Sequence, residues 1–151
     1  MRARETSLCF AIGLVAATCL FSNVSTAAAQ TVNFRARLIL ASNQAAAQDM
    51  RLEDLEYKLR RVFGFEYYSL LAEGEGVADV RGQTSIRLDG DSRLQIAAAP
   101  ARGGQVRANV QWTRNGVVVL NTTVVMGRGA GVILGGVSHE KGTLLIALDT
   151  R

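Results

Sequence analysis

The stretch QVRANVQWTRNGVVVLNTTVVM (residues 105–126) decides the fold, because it contains two apolar strands joined by a tight turn. Asn115-Gly116 is typical of such a turn, since both residues tolerate a left-handed backbone. The sequence therefore predicts a β-hairpin with one buried face. That face begins with four residues spaced two apart, Val106, Ala108, Val110 and Trp112.

The register of this hairpin has two solutions. A two-residue turn sets Val110 opposite Asn121, whereas a three-residue loop ending at a left-handed Gly116 sets Val110 opposite Leu120. Register is set where apolar side chains share the buried face. We therefore predict the three-residue loop with a glycine bulge.

Alternation with a period of two extends outward from the hairpin on both sides and predicts six more strands. Gly74-Glu75-Gly76 interrupts the second of them as a turn or bulge. About eight short strands and one helix predict an α+β fold that is mostly β, an antiparallel sheet or a β-sandwich. The six segments are residues 32–41, 67–73, 84–88, 94–98, 132–137 and 143–150.

One amphipathic helix is predicted after Asp49, which is a suitable N-cap. Gly64 stands where a left-handed C-cap is expected. Asp54 precedes Lys58 by four residues, the spacing of a helical ion pair. A narrow apolar stripe is formed by Leu52, Leu55, Leu59, Val62 and Phe63, and we expect it to cover a sheet.

Residues 1–29 have the pattern of a secretory signal peptide. Arg2 and Arg4 precede an apolar run of 14 residues, Leu8 to Phe21, and Ala27-Ala28-Ala29 precedes Gln30. This run is too short for a membrane anchor. We expect an exported protein with no transmembrane span, located in the periplasm, at the outer membrane or outside the cell.

Both cysteines, Cys9 and Cys19, lie within this predicted signal peptide. A chain that begins near Gln30 then has neither a disulfide nor a thiolate metal site. Lipid attachment at Cys19 is the alternative. About 120 residues remain, enough for one domain over residues 30–151.

Catalytic and metal-binding patterns are missing from the sequence. His139 is the only histidine, and a zinc site or a histidine base needs further convergent groups. The carboxylate pairs Glu73/Glu75 and Asp89/Asp91 flank glycines, an ordinary turn pattern. We therefore expect neither an enzyme nor a cofactor or metal site.

Two glycine-rich segments remain. Gly127 to Gly131 (GRGAG) leads into an apolar strand, whereas a dinucleotide loop leads into a helix that holds the phosphate. Gly135-Gly136 is therefore interpreted as a strand bend or bulge where another backbone comes close.

Arginine dominates the positive charge, and five arginines occupy outward positions in the predicted strands. Without the signal peptide the formal net charge falls from +4 to +3, with no basic run of the kind that binds nucleic acid. Arginine forks match carboxylate and phosphate groups. A face for anionic polymers or lipid head groups is therefore one functional hypothesis, and its residues are Arg35, Arg37, Arg87, Arg93 and Arg107.

About 30 residues at the end of the sequence resemble the C-terminal end of the bacterial secretin core. They contain N-T-T-V-V (121–125), a glycine loop, V-I-L-G-G (132–136) and the closing L-L-I-A-L-D-T-R (144–151). Gly129 to Gly136 matches the family's G-x-x-V-x-L-G-G segment, although the proline of its closing T-P-R is missing. The whole pattern also resembles short exported bacterial proteins of unassigned function. The resemblance implies a link to secretion or pilus machinery.

These features predict a non-enzymatic envelope protein that binds another protein, with a component of secretion or pilus machinery as the expected partner class. Strand addition is the expected mode, at the first strand (residues 32–41) or the last (143–150). The alternative is the arginine face described above. The sequence leaves the oligomeric state open.

Overall fold

Eight strands and one α-helix follow one another along residues 30–151, the part of the chain that the computed structural model describes. The predicted signal peptide, Cys9 and Cys19 lie outside these residues. Two short 3-10 turns also occur, at Met50–Leu52 just before the helix and at Arg102–Gly104 between the fourth and fifth strands. The order is β1 (Thr31–Ser42), α1 (Glu53–Phe63), β2 (Tyr67–Asp79), β3 (Gln83–Arg87), β4 (Ser92–Pro100), β5 (Val106–Arg114), β6 (Val117–Met126), β7 (Gly131–His139) and β8 (Gly142–Thr150).

The strands form two four-stranded antiparallel sheets, which confirms the predicted fold class. Sheet 1 has the order β2-β1-β8-β7, and sheet 2 has the order β3-β4-β5-β6. Side chains from both sheets share one apolar core, in which Phe34 of β1 and Trp112 of β5 are almost fully buried. The chain is therefore a β-sandwich whose two inner faces pack against each other.

The predicted binding edges are wrong, because β1 and β8 are the central strands of sheet 1. β1 pairs with β2 on one side and with β8 on the other, and β8 also pairs with β7. Neither segment 32–41 nor segment 143–150 has a free edge for another strand. Within residues 30–151 the edges belong to β2 and β7 in sheet 1 and to β3 and β6 in sheet 2.

Helix α1 covers the outer face of sheet 1, as its apolar stripe predicts. Leu55 and Leu59 pack against Ile39 of β1 in a second apolar cluster. Val62 was predicted in the stripe but is 66% exposed, because it lies at the margin of the narrow apolar arc. The predicted caps are confirmed: Gly64 adopts the left-handed conformation with φ 68°, and Asp49 caps the 3-10 turn that leads into the helix.

Asp49 also joins the helix to sheet 1. Its carboxylate accepts hydrogen bonds from the amide of Arg51 at 3.2 Å and from the amide of Leu70 in β2 at 3.0 Å. The cap therefore fixes the start of α1 against a neighbouring strand as well as satisfying a free helical donor.

The hairpin register predicted for residues 105–126 is wrong, although its buried face is confirmed. Asn115 and Gly116 form a two-residue turn with φ 49° and 76°, and Arg114 pairs with Val117. The register then shifts beyond Thr113, so that Val110 faces Thr122. A β-bulge in β6 thus adjusts the register that the turn alone would impose.

The predicted interruption at Gly74-Glu75-Gly76 is also wrong, since β2 runs unbroken through it. These glycines allow β3 to approach closely. A Cβ atom on Gly74 would lie 2.6 Å from Ile86 Cγ2, and one on Gly76 would lie 2.7 Å from Thr84 Oγ1. Because glycine has no side chain, β2 and β3 pack closely here and bring the two sheets together along one side of the sandwich.

Gly135-Gly136 forms the predicted bulge in β7. The register with β8 shifts between Gly135 and Val137, and φ is 152° and 109° at the two glycines. A Cβ atom on Gly135 would lie 2.8 Å from the Leu144 carbonyl oxygen. The close approach of another backbone, expected from the sequence, is thus confirmed.

Candidate binding surfaces

Arg37, a predicted surface arginine, is buried beneath α1. Its side chain is 2% exposed. Nη1 and Nη2 donate to the two carboxylate oxygens of Asp54, each at 2.8 Å, and Nη2 also donates to Asp149 Oδ2 at 3.0 Å. Asp54 therefore pairs with Arg37 rather than with Lys58, the partner expected within the helix. This arginine anchors the helix to sheet 1 and is not available to a ligand.

Arg35 lies on the same outer face of sheet 1 and is also paired. Its Nε donates to Glu73 of β2. The hydrogen bond from Arg35 lowers the pKa of the Glu73 carboxyl, and the bonds from Arg37 lower the pKa of the Asp54 carboxyl. Both predicted binding arginines of sheet 1 are thus neutralised within the protein.

Arg87, Arg93 and Arg107 lie elsewhere, on the outer face of sheet 2. All three are exposed, and among residues 30–151 none of them forms an ion pair within 4.0 Å. Arg87 of β3 is directly opposite Arg93 of β4. Arg93 is opposite Thr113, and Arg107 lies six residues from Thr113, about 20 Å along the strand. The five predicted arginines therefore divide between two faces.

Uncharged polar side chains fill the area between these arginines. Asn109 lies at its centre and donates from Nδ2 to Thr123 Oγ1 at 3.2 Å and to Asn121 Oδ1 at 3.4 Å. The strand register aligns two rows across the sheet. One row is Ser85, Gln95, Gln111 and Asn121, and the other is Gln83, Ala97, Asn109 and Thr123.

An open groove of about 390 Å³ borders the Arg87–Arg93 pair at the β3–β4 turn. Asp89 and Asp91 lie on its rim, but Asp89 is engaged by the turn itself. Its Oδ1 accepts hydrogen bonds from the amides of Asp91 and Ser92. This agrees with the interpretation of the aspartate pair as turn residues. Arg87 and Arg93 are exposed beside them, and neither forms an ion pair within 4.0 Å with a residue of the 30–151 range.

A cleft of about 170 Å³ lies between the start of α1 and the start of β2. Asp49, Glu56, Arg60 and Tyr68 on its wall already have partners within the protein. The Tyr68 hydroxyl donates to the Leu59 carbonyl at 3.0 Å and accepts from the Phe65 amide at 3.1 Å. Most of the polar groups of this cleft are therefore engaged in contacts within the protein and are not available to a ligand.

The edge of β6 is the most apolar strand edge of the sandwich. β6 pairs with β5 alone in the described chain, and its ten residues carry no charge. Val117, Val118 and Val125 are 63%, 49% and 50% exposed. An open groove of about 530 Å³, lined by Val119 and Val137, lies where β6 begins and β7 ends. Sequence reasoning missed this edge because strand order is a non-local property.

Metal ligands and membrane-spanning helices were also sought among residues 30–151. No group of three or more potential metal ligands occurs within residues 30–151, and His139 ends β7, opposite Gly142. No helix in this part of the chain is long and apolar enough to cross a membrane.

Comparison with models of known protein families, with curated proteins and with solved structures gave no match. The resemblance of about 30 residues at the end of the sequence to the secretin core therefore stays a prediction.

Proposed function

We propose that this chain is a non-enzymatic binding protein of the cell envelope and that it binds a partner protein by strand addition along β6. The observation that carries the proposal is the unpaired, uncharged edge of β6 with its three exposed valines. An extended partner segment would hydrogen-bond to the free main chain and cover the valines.

The other edges of the described sandwich are less suited to a new strand. β2 carries Glu73, Glu75 and Asp79, and charges on an edge oppose pairing. β3 has five residues. The bulge of β7 falls in the middle of that strand, at Gly135-Gly136, whereas the bulge of β6 lies near its start, at Val119. β6 is long and free of charge, so it would be an aggregation hazard if nothing covered it.

The partner that fits this edge is an extended segment with alternating apolar side chains. The signal-peptide pattern supports an encounter in the envelope. The secretin-like ending favours a component of secretion or pilus machinery. The proposed mode of binding is still strand addition, but the edge is now β6, because β1 and β8 are central strands of sheet 1.

Site-specific photocrosslinking in envelope fractions tests this proposal. A photoreactive residue at position 118 should yield one crosslinked partner, attached through an extended segment of a secretion or pilus component.

A second experiment adds charge to the edge of β6. The double substitution V118K/V125K should abolish capture of that partner by a protein tagged in the 100–104 loop. Val77 of β2 is 59% exposed, against 49% for Val118 and 50% for Val125, so V77K is the control on another edge strand and should leave capture intact. Capture that survives the β6 charges would refute strand addition at this edge.

A further inference from the structure

The outer face of sheet 2 has the composition of a ligand-binding surface, and Val118 and Val125 of β6 lie at its margin. No other element within residues 30–151 covers it. Seven of the eight side chains in its two middle rows are amides or hydroxyls, and the eighth is Ala97. Arg87 and Arg93 lie at one end of these rows and Arg107 at the other.

We propose that this face binds an acidic polysaccharide. Residues directly opposite each other on neighbouring strands have Cβ atoms about 5 Å apart. The guanidinium groups of Arg87 and Arg93 can therefore converge on one carboxylate of the polymer. Arg107 meets a second acidic group about 20 Å farther along the chain of sugars.

Charge complementarity supports an anionic ligand. Like charges that face each other across two strands are destabilising, and the Arg87–Arg93 pair has no carboxylate partner among the described residues. The arginines of sheet 1, in contrast, are paired with Glu73, Asp54 and Asp149. A carboxylate bound between Arg87 and Arg93 would relieve their repulsion and form charge-assisted hydrogen bonds.

The middle rows favour a polysaccharide over the other polyanions of the cell. A surface that enters a lipid bilayer presents apolar side chains, and single-stranded nucleic acid binds by stacking its bases on aromatic rings. The middle rows present no aromatic ring, and Ala97 is their one apolar side chain. The exposed Val118 and Val125 lie outside them, in the rows of Arg93 and Arg107. Their amides and hydroxyls both donate and accept hydrogen bonds, as sugar hydroxyls do.

Binding of polygalacturonate to the protein, measured by calorimetry at low salt, tests this assignment, with neutral dextran as the uncharged comparison. The double variant R87Q/R93Q should bind about tenfold more weakly. The matched variant K58Q/R61Q removes the same charge from the exposed face of α1 and should change affinity less than about twofold. Salt at about 0.5 M should abolish binding by screening exposed charges.

A second variant separates charge from geometry. R87K/R93K keeps both charges but loses the planar forks, and its affinity should lie between those of the native protein and R87Q/R93Q. Equal weakening in R87Q/R93Q and K58Q/R61Q would overturn the proposal, as would no binding at all. Tight binding to anionic phospholipid vesicles that polygalacturonate fails to displace would assign the face to lipid instead. Each of these results leaves strand addition at β6 to its own test.

Discussion

The two outer faces of the sandwich carry the same kind of residue in opposite states. On sheet 1, α1 covers the strands, and Arg35 and Arg37 are paired with carboxylates. On sheet 2 no helix covers the strands within residues 30–151, and Arg87 and Arg93 have no acidic partner there. An arginine at an outward strand position thus stabilises the fold on one face and remains free for a ligand on the other.

We expect the greatest loss of stability from a substitution that disturbs the packing of α1 on sheet 1. Leu59 is fully buried between α1 and the sheet, so L59A should lower the free energy of unfolding by about 3 to 4 kcal/mol, from lost burial plus a cavity. Val62 on the same helix is exposed, and V62A should cost less than about 0.5 kcal/mol. Urea unfolding measures both. Similar losses in the two variants would mean that the helix does not pack as described.

Arginine truncation compares the two faces directly. Removing one partner of a buried ion pair costs about 3 to 5 kcal/mol, but Asp54 is 58% exposed and can regain water. We therefore expect R37A to lose about 2 to 3 kcal/mol. R93A, on the uncovered face, should lose less than about 0.5 kcal/mol. A large loss in R93A, measured by the same unfolding experiment, would remove the distinction between the faces.

A substitution at Gly74 tests the close contact between β2 of sheet 1 and β3 of sheet 2. A methyl group there would lie 2.6 Å from Ile86 Cγ2 and 2.9 Å from the Arg87 carbonyl oxygen. G74A should therefore destabilise the protein by about 1 to 2 kcal/mol through overpacking. Gly90 has open space around its Cα, and G90A serves as the control that should unfold like the native protein. Unchanged stability of G74A would place β3 farther from β2.

We expect the smallest change in the dependence of the free energy of unfolding on pH, at acidic pH. Hydrogen bonds from Arg37 and Arg35 lower the pKa of Asp54 and of Glu73 in the folded state. Their contribution is present above the unfolded pKa, about 4, and is lost as the pH falls below it. Unfolding free energy should therefore decline from about pH 5 downward.

D54N should flatten this decline, by less than about 1 kcal/mol because the pair is partly solvated. The measurement is chemical unfolding at a series of pH values. An equally steep decline in D54N would show that other groups govern acid unfolding.

Local patterns in the sequence were enough to predict the strands, the helix and its caps. Asp49 and Gly64 act within a few residues, and the alternation at Val106 to Trp112 reports burial directly. The hairpin register was wrong because a bulge in β6 depends on packing between sheets. The glycines of β2 were misread because the close approach of β3 depends on how the two sheets pack, which the residues beside the glycines do not show.

For the site residues as well, local patterns predicted the position of a side chain along its strand but not which distant element would cover it. Outward positions were correctly assigned to Arg87, Arg93 and Arg107, since alternation is local. Arg37 follows the same alternation, but its burial depends on a helix that crosses above it. The β6 edge was missed for a similar reason, because no local signal shows that β1 and β8 occupy the centre of sheet 1.

Mapping of backbone amide chemical shifts by NMR during titration with polygalacturonate tests the contrast between the faces most directly. We expect shifts at residues 83–87, 93–99 and 107–113, centred on Arg87, Arg93 and Arg107, with β1 and α1 unchanged. Shifts concentrated on α1 and β1, or no shifts at all, would contradict this expectation.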